Sequence, residues 1–209
     1  SLHIPTFTGA VNRYPNQDVL GVTVSNREHL YRLLEGYQVH LLSGHTHFND
    51  NMSHGNIYEH CHGTVCGAWW SGPICYDGTP NGYAVYQVKG SELSWQYKGT
   101  GLAIEEQFRV YPKGYHPDFP DHVSLNCWNY DPKWEISIYE NGIKTGAPEK
   151  IVAKDPWSME LHTGPDLPAI RKWVEPQLND HMFFFKPQNT SNLVIEVKDR
   201  FGKTYTKSL

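Results

Sequence analysis

The chain is 209 residues long, enough for one large or two small domains, and carries a formal net charge of −4 with no block of lysines or arginines. That balance argues against a nucleic-acid or membrane-surface partner, and no apolar run approaches the roughly 20 residues of a membrane-spanning helix. Aromatic residues reach 13%, with seven Trp and thirteen Tyr, while helical apolar periodicity is scarce, so a mostly β (α+β) architecture is expected.

Near the start stands Leu2-His3-Ile4-Pro5. Ser25-Asn26-Arg27-Glu28 reads as a capping box opening a short helix, with Leu30, Leu33 and Leu34 at helical spacing and Gly36 as terminator. The helix delivers the chain into a strand over 39–43, and Ser43-Gly44-His45-Thr46-His47 closes that strand. In an extended segment the two imidazoles share a face, and the glycine before them permits a sharp turn. A loop at the C-terminal end of a strand is where α/β sheets place catalytic groups. This one can present two nitrogen ligands to adjacent metal ions; a hydrogen-bonded loop pair is the ordinary alternative. Asn49, Asp50 and Asn51 come next, either as solvated turn residues or as polar groups that orient the histidines.

From Asn56 onward strands dominate, over 57–62, 64–70, 83–89 and 93–97, with a hairpin connection around Gly90. Glu59-His60-Cys61-His62 sets His60 and His62 on one face; no carboxylate or thiolate is spaced to complete a zinc set there, so both read as strand residues, with a separate zinc site as the alternative and His60 also a candidate to orient the ligand loop. Cys61, Cys66, Cys75 and Cys127 contain no C-x-x-C pair, which argues against a zinc finger. Cys66 and Cys75 flank a Trp-Trp-Ser-Gly-Pro turn and either bridge it as a disulfide or stay as buried thiols. Trp69, Trp70, Trp128 and Trp134 read as core, with a sugar-binding surface as the alternative.

Gly99-Thr100-Gly101 is the candidate boundary between a segment 1–100 and a domain 101–209. Beyond it, Phe108 and Val110, then Val123, Leu125 and Cys127, then Trp134, Ile136 and Ile138, then Leu193, Ile195 and Val197 alternate, and Asn141-Gly142 signals a type I′ hairpin. Short strands separated by turns predict a β-sandwich. The rhythm breaks over 155–180, where 168–173 suggests one or two helical turns; Asn189-Thr190-Ser191 matches a glycosylation sequon, a weak pattern alone.

His3-Ile4-Pro5 and Gly44-His45-Thr46-His47 resemble the last two metal-ligand motifs of the calcineurin-like metallophosphoesterases, an H-x-P and a terminal G-H-x-H. Three further stretches are similar to a branch of secreted bacterial members with an added C-terminal β-domain: Val65-Cys66-Gly67-Ala68-Trp69-Trp70-Ser71-Gly72-Pro73, Asp77-Gly78-Thr79-Pro80-Asn81-Gly82-Tyr83 and the tail from Val197 to Tyr205. The resemblance implies the end of a catalytic β-sandwich layer over 1–100, then a C-terminal β-sandwich over 101–209. It implies a two-metal site in the intact enzyme (Mn, Zn, Fe or Mg), with His3 and His45 on one ion and His47 on the other, hydrolysing a small phosphomonoester or phosphodiester in the periplasm or outside the cell.

The family's G-D-x-x-D and G-N-H-[DE] motifs, which carry the bridging carboxylate and the asparagine ligand, do not occur in this sequence. The chain is therefore expected to be a C-terminal fragment with no catalytic residues of its own, inactive alone and short of at least one metal. Apolar faces bearing Leu41, Val65 and Trp69 are expected to lose their covering and to drive association into a homo-oligomer. The rival reading is a non-catalytic carbohydrate- or protein-binding module in which the histidines are vestigial.

Overall fold

A computed structural model of the protein describes residues 1–188 and 192–209; the sequon at Asn189 lies outside the described residues. Strand accounts for 38% of the chain and helix for 10%, the mostly β architecture expected from composition.

The first elements are α1 (Ala10–Arg13), α2 (Arg27–Leu33), β1 (Val39–Ser43), β2 (Asp50–His54) and β3 (Ile57–Cys61). β1 pairs parallel with β3 and β2 pairs antiparallel with it, giving a sheet in the order β1-β3-β2. Helix α2 lies where expected, but the capping box does not form: Asn26 is the N-cap, its side chain makes no capping bond, and Ser25 stands one residue too early. Gly36 takes φ +86 just beyond the helix, as a terminator should. β2 is a strand that its polar sequence did not announce, because pairing to β3 and not alternation holds it. Leu41 is buried by this chain itself, contrary to the expected exposure, whereas Val65 and Trp69 do face solvent.

The strand expected over 64–70 is absent. Gly67, Trp69 and Trp70 take φ of +54, +61 and +58, which no strand accommodates, and Trp70 N donates to Cys66 O at 2.8 Å in a run of tight turns. β4 (Gly82–Lys89) and β5 (Glu92–Gly99) then form the expected two-stranded ribbon about Gly90.

The remaining strands are β6 (Phe108–Tyr111), β7 (Val123–Cys127), β8 (Glu135–Glu140), β9 (Ile143–Gly146), β10 (Glu149–Lys154), β11 (Leu178–Phe185), β12 (Leu193–Lys198) and β13 (Thr204–Ser208), with α3 (Pro156–Thr163) between β10 and β11. They make two antiparallel sheets, β10-β11-β7-β6 and β13-β12-β8-β9. Phe108, Val123, Leu125 and Phe183 from the first meet Ile138, Leu193, Ile195 and Val197 from the second in one apolar core, which is a β-sandwich. Asn141 and Gly142 take φ of +52 and +79, the two left-handed positions a type I′ turn requires. The break in strand rhythm is α3, capped by Asp155, whose carboxylate accepts from Ser158 N at 3.0 Å; residues 168–173 form no helix.

Two sets of contacts stand out among those that join the first hundred residues to the sandwich. The β4–β5 ribbon lies on it through Trp95 against Phe201 (4.8 Å) and Gln96 Nε2 donating to the Tyr205 hydroxyl at 2.7 Å. Below, buried Asp77 accepts from Asn49 N at 2.8 Å and faces His181 Nε2 at 3.2 Å, while its carbonyl accepts from Asn126 and Asn179. Burial raises the pKa of Asp155, and the same Asn126 amide, donating to its carboxylate, opposes that rise. Trp128 and Trp134 are core, as expected, but Trp69 and Trp70 are exposed. All four cysteines are free thiols, so Cys66 and Cys75 do not bridge the turn between them.

Candidate metal-ligand loop

β1 ends at Ser43, and the loop after it bends twice. His45 and His47 both adopt positive φ (+71 and +60), uncommon for residues with a Cβ, and Thr46 N closes back on Gly44 O at 2.8 Å. Cys61 at the end of β3 braces the loop from below: its thiol lies 3.1 Å from both Gly44 O and the Thr46 hydroxyl, and burial pushes that thiol up to about 12.

His3 is not a free terminal residue. Leu2 N donates to Leu42 O at 2.8 Å and Gly44 N donates to His3 O at 3.1 Å, which lays the terminus along β1. Glu59 in β3 fastens the same segment: its buried carboxylate accepts from Thr6 N (2.9 Å), Phe7 N (3.0 Å), the Ser43 hydroxyl (2.7 Å) and the Thr6 hydroxyl. Terminus and histidine loop are thus held by one side chain. His45 Nδ1 lies 3.1 Å from His3 Nε2, with both rings exposed.

His47 turns inward. Its Nδ1–H donates to the Gly67 carbonyl at 2.5 Å, and its ring stacks on Trp69 at 4.7 Å. Burial holds its pKa below the usual histidine value, with His45 and His3 pushing the same way and the Gly67 carbonyl opposing. Gly67 is required at φ +54: a Cβ there would lie 1.9 Å from Asn81 Oδ1 and 2.4 Å from Ile74 O. The turns of 64–70, unforeseen from an apolar sequence, are thus what seats His47.

The other candidates lie elsewhere. Asp50 is paired with Arg13 (2.6 Å) in the interior, and its Oδ2 accepts from Gly9 N; Asn49 Oδ1 accepts from Gly63 N. His60 points to the opposite face of the sheet, where its Nε2 faces His40 Nδ1 at 2.9 Å and its ring packs edge-on against Trp95. No described hydrogen bond joins Asn49, Asp50 or His60 to His3, His45 or His47, so the orienting contact comes from the Gly67 carbonyl, a backbone group no motif marks. Burial lowers His60 to about 2 and its neighbour His62 to about 4, so both are neutral. His62 Nε2 meets the Tyr86 hydroxyl, not a ligand set.

Two nitrogens on one ion at 2.0–2.1 Å stand roughly 2.9–3.4 Å apart, so the His3–His45 separation suits ligands of a shared ion. No carboxylate joins them, and among the described residues no three His, Cys, Asp or Glu side chains converge to hold a metal. The residues present fit the imidazole side of a site and not a complete one.

The family model for the C-terminal region of calcineurin-like phosphoesterases matches residues 59–205, more than half of the chain. The chain belongs to this family. The match runs from β3 through the ribbon and both sheets of the sandwich, and the three histidines lie ahead of it. Phosphoesterases of this family generally use divalent metals and act on small phosphate esters. No curated protein and no solved structure matches the chain. Among the described residues, no helix is long and apolar enough to cross a membrane.

Proposed function

We propose that this chain is the C-terminal portion of a metal-dependent hydrolase of small phosphomonoesters or phosphodiesters, in which His3, His45 and His47 supply nitrogen ligands to a two-metal site. The observation that carries this reading is the commitment of His47 Nδ1 to the Gly67 carbonyl. That bond fixes the tautomer with its lone pair on Nε2, and no described hydrogen bond engages Nε2. Metal-binding histidines are oriented in this way. His45 and His3, paired at the mouth of the same loop, add two more imidazoles.

Divalent ions, when bound, supply Lewis acidity and a water of lowered pKa. This chain's part is to hold neutral imidazoles in place: Glu59 and Cys61 fix the backbone that carries them, and Gly67 fixes the His47 ring. Because three neutral imidazoles offset none of the charge of two close ions, the chain alone is inactive in this reading. We further infer a periplasmic or extracellular bacterial setting from the resemblance to secreted members.

The test is calorimetric titration of the chain with zinc and with manganese, alone and as His45→Ala and His47→Ala. The reading expects the parent chain to bind zinc, with the ion on the His3–His45 pair held at least about tenfold more weakly in His45→Ala and the binding at His47 lost in His47→Ala. Equal binding by all three proteins contradicts it.

A further inference from the structure

We propose that the cleft beside the histidine loop binds the ammonium end of an amino-alcohol phosphoester of the choline or ethanolamine kind, an inference that rests on the phosphoesterase reading only for where the phosphate sits. Phe48, the residue after His47, lines a recess of about 390 Å³ with Tyr76, Trp173, Glu175 and Gln177. Phe48 and Gln177 also line the adjoining recess of about 250 Å³ that His45 enters. A molecule with its phosphate at the histidines therefore has its organic end at the aromatic recess.

Three aromatic rings and a carboxylate are what a cation meets in a site built for it. Trp173 is 58% exposed, so its ring is open to a ligand, and Trp69, stacked on His47, lies 6.1 Å from it. Glu175 is exposed and has no ion pair among the described residues. The nearby cation, Arg13, lies 4.3 Å over the Phe48 ring but is held by Asp50 and Asp180, two carboxylates to one guanidinium. Among the residues that line the recess, Glu175 alone carries a charge, and it is negative.

A sugar or a nucleobase would instead need spare amides or hydroxyls. The recess has one side-chain amide, Gln177, whose Oε1 already accepts from Tyr14 and whose Nε2 donates to Glu175 O, and one hydroxyl, that of Tyr76, which is hydrogen-bonded to the Trp69 side chain. An ammonium needs only the ring faces and Glu175.

The experiment uses the whole chain without metal, titrated with choline and followed by tryptophan fluorescence and calorimetry. Its uncharged carbon isostere, dimethylbutanol, is the control, and Trp173→Ala and Glu175→Gln are the variants; both residues are exposed, so neither change threatens folding. Saturable choline binding is expected, with the isostere about tenfold weaker, Glu175→Gln weakened about fivefold and Trp173→Ala unsaturable. Phosphocholine binding without retention on phosphatidylcholine vesicles assigns a soluble ester, and retention assigns a lipid head group; either supports the site. No choline binding, equal binding of the isostere, or unchanged variants overturns it. Zinc binding by the histidines with no choline binding would sink this inference alone. Choline binding with no zinc binding would sink the phosphoesterase reading alone.

Discussion

The Gly67 carbonyl accepts the His47 Nδ1 proton at 2.5 Å, so a turn that lies twenty residues along the chain decides which nitrogen of His47 is free. Gly67 is held at φ +54 and its missing Cβ is filled by Asn81 and Ile74. Gly67→Ala should therefore displace the turn, lower stability by about 2 kcal/mol or more, and weaken zinc binding at least about tenfold. Denaturant unfolding and zinc calorimetry check this; unchanged values would mean that His47 is not seated by the turn.

Glu59 makes the second prediction. Glu59→Ala strands the Thr6 and Phe7 amides and the Ser43 hydroxyl in the interior, and a loss of about 3 kcal/mol or more is expected. Amide hydrogen exchange should show Leu2, Thr6 and Phe7 losing protection while the sandwich strands keep theirs. Exchange unchanged at those amides would show that the terminus is held by something else.

Acid should destabilise the fold through His60 and His62. Both are held neutral, at about 2 and about 4, by burial, against Trp95, Tyr86 and His40 on their own face and with Arg200 also disfavouring charge on His60. The unfolded chain takes up these protons at about 6.5. Stability is therefore full above that value and falls as pH drops below it, by about 2 kcal/mol between pH 6.5 and 5.5 for the pair. His62 is partly exposed, so its share is the smaller. Urea unfolding at both pH values checks this, and His60→Gln should flatten the slope by about half; a slope indifferent to that change rejects the assignment.

The thiols give a simple count. Cys61, Cys75 and Cys127 are buried and Cys66 is partly exposed, all of them free. A thiol reagent should modify Cys66 quickly in the native state and all four residues in denaturant. Two unreactive cysteines in non-reducing denaturant would reinstate the disulfide.

Local signals were legible wherever local chemistry decides. Asn141-Gly142 specified its turn because both positions need φ above zero, and the alternation around Ile138 and Ile195 specified the sandwich because both sheets bury one face. The histidine loop was visible as a glycine and two imidazoles after a strand. Its supports were not. Residues 64–70 carry strand-like composition, but Ala68 N bonds to Ile74 O and His47 to Gly67 O, contacts that only the folded chain creates. Asp50 looked like a turn residue because its partner, Arg13, lies 37 positions away. His60 could be read as a support of the ligand loop because sequence does not show which face of β3 meets that loop; the register sets Cys61 beside Ser43 and leaves His60 beside Leu42, on the other face.

The central claim is that this chain holds the imidazole side of a two-metal phosphoesterase site and lacks its carboxylate side. The direct measurement is hydrolysis of nitrophenyl phosphate by the chain with manganese or zinc, beside His47→Ala. The account predicts no turnover above the metal alone for either protein. Metal-dependent turnover by the chain that disappears in His47→Ala would contradict it.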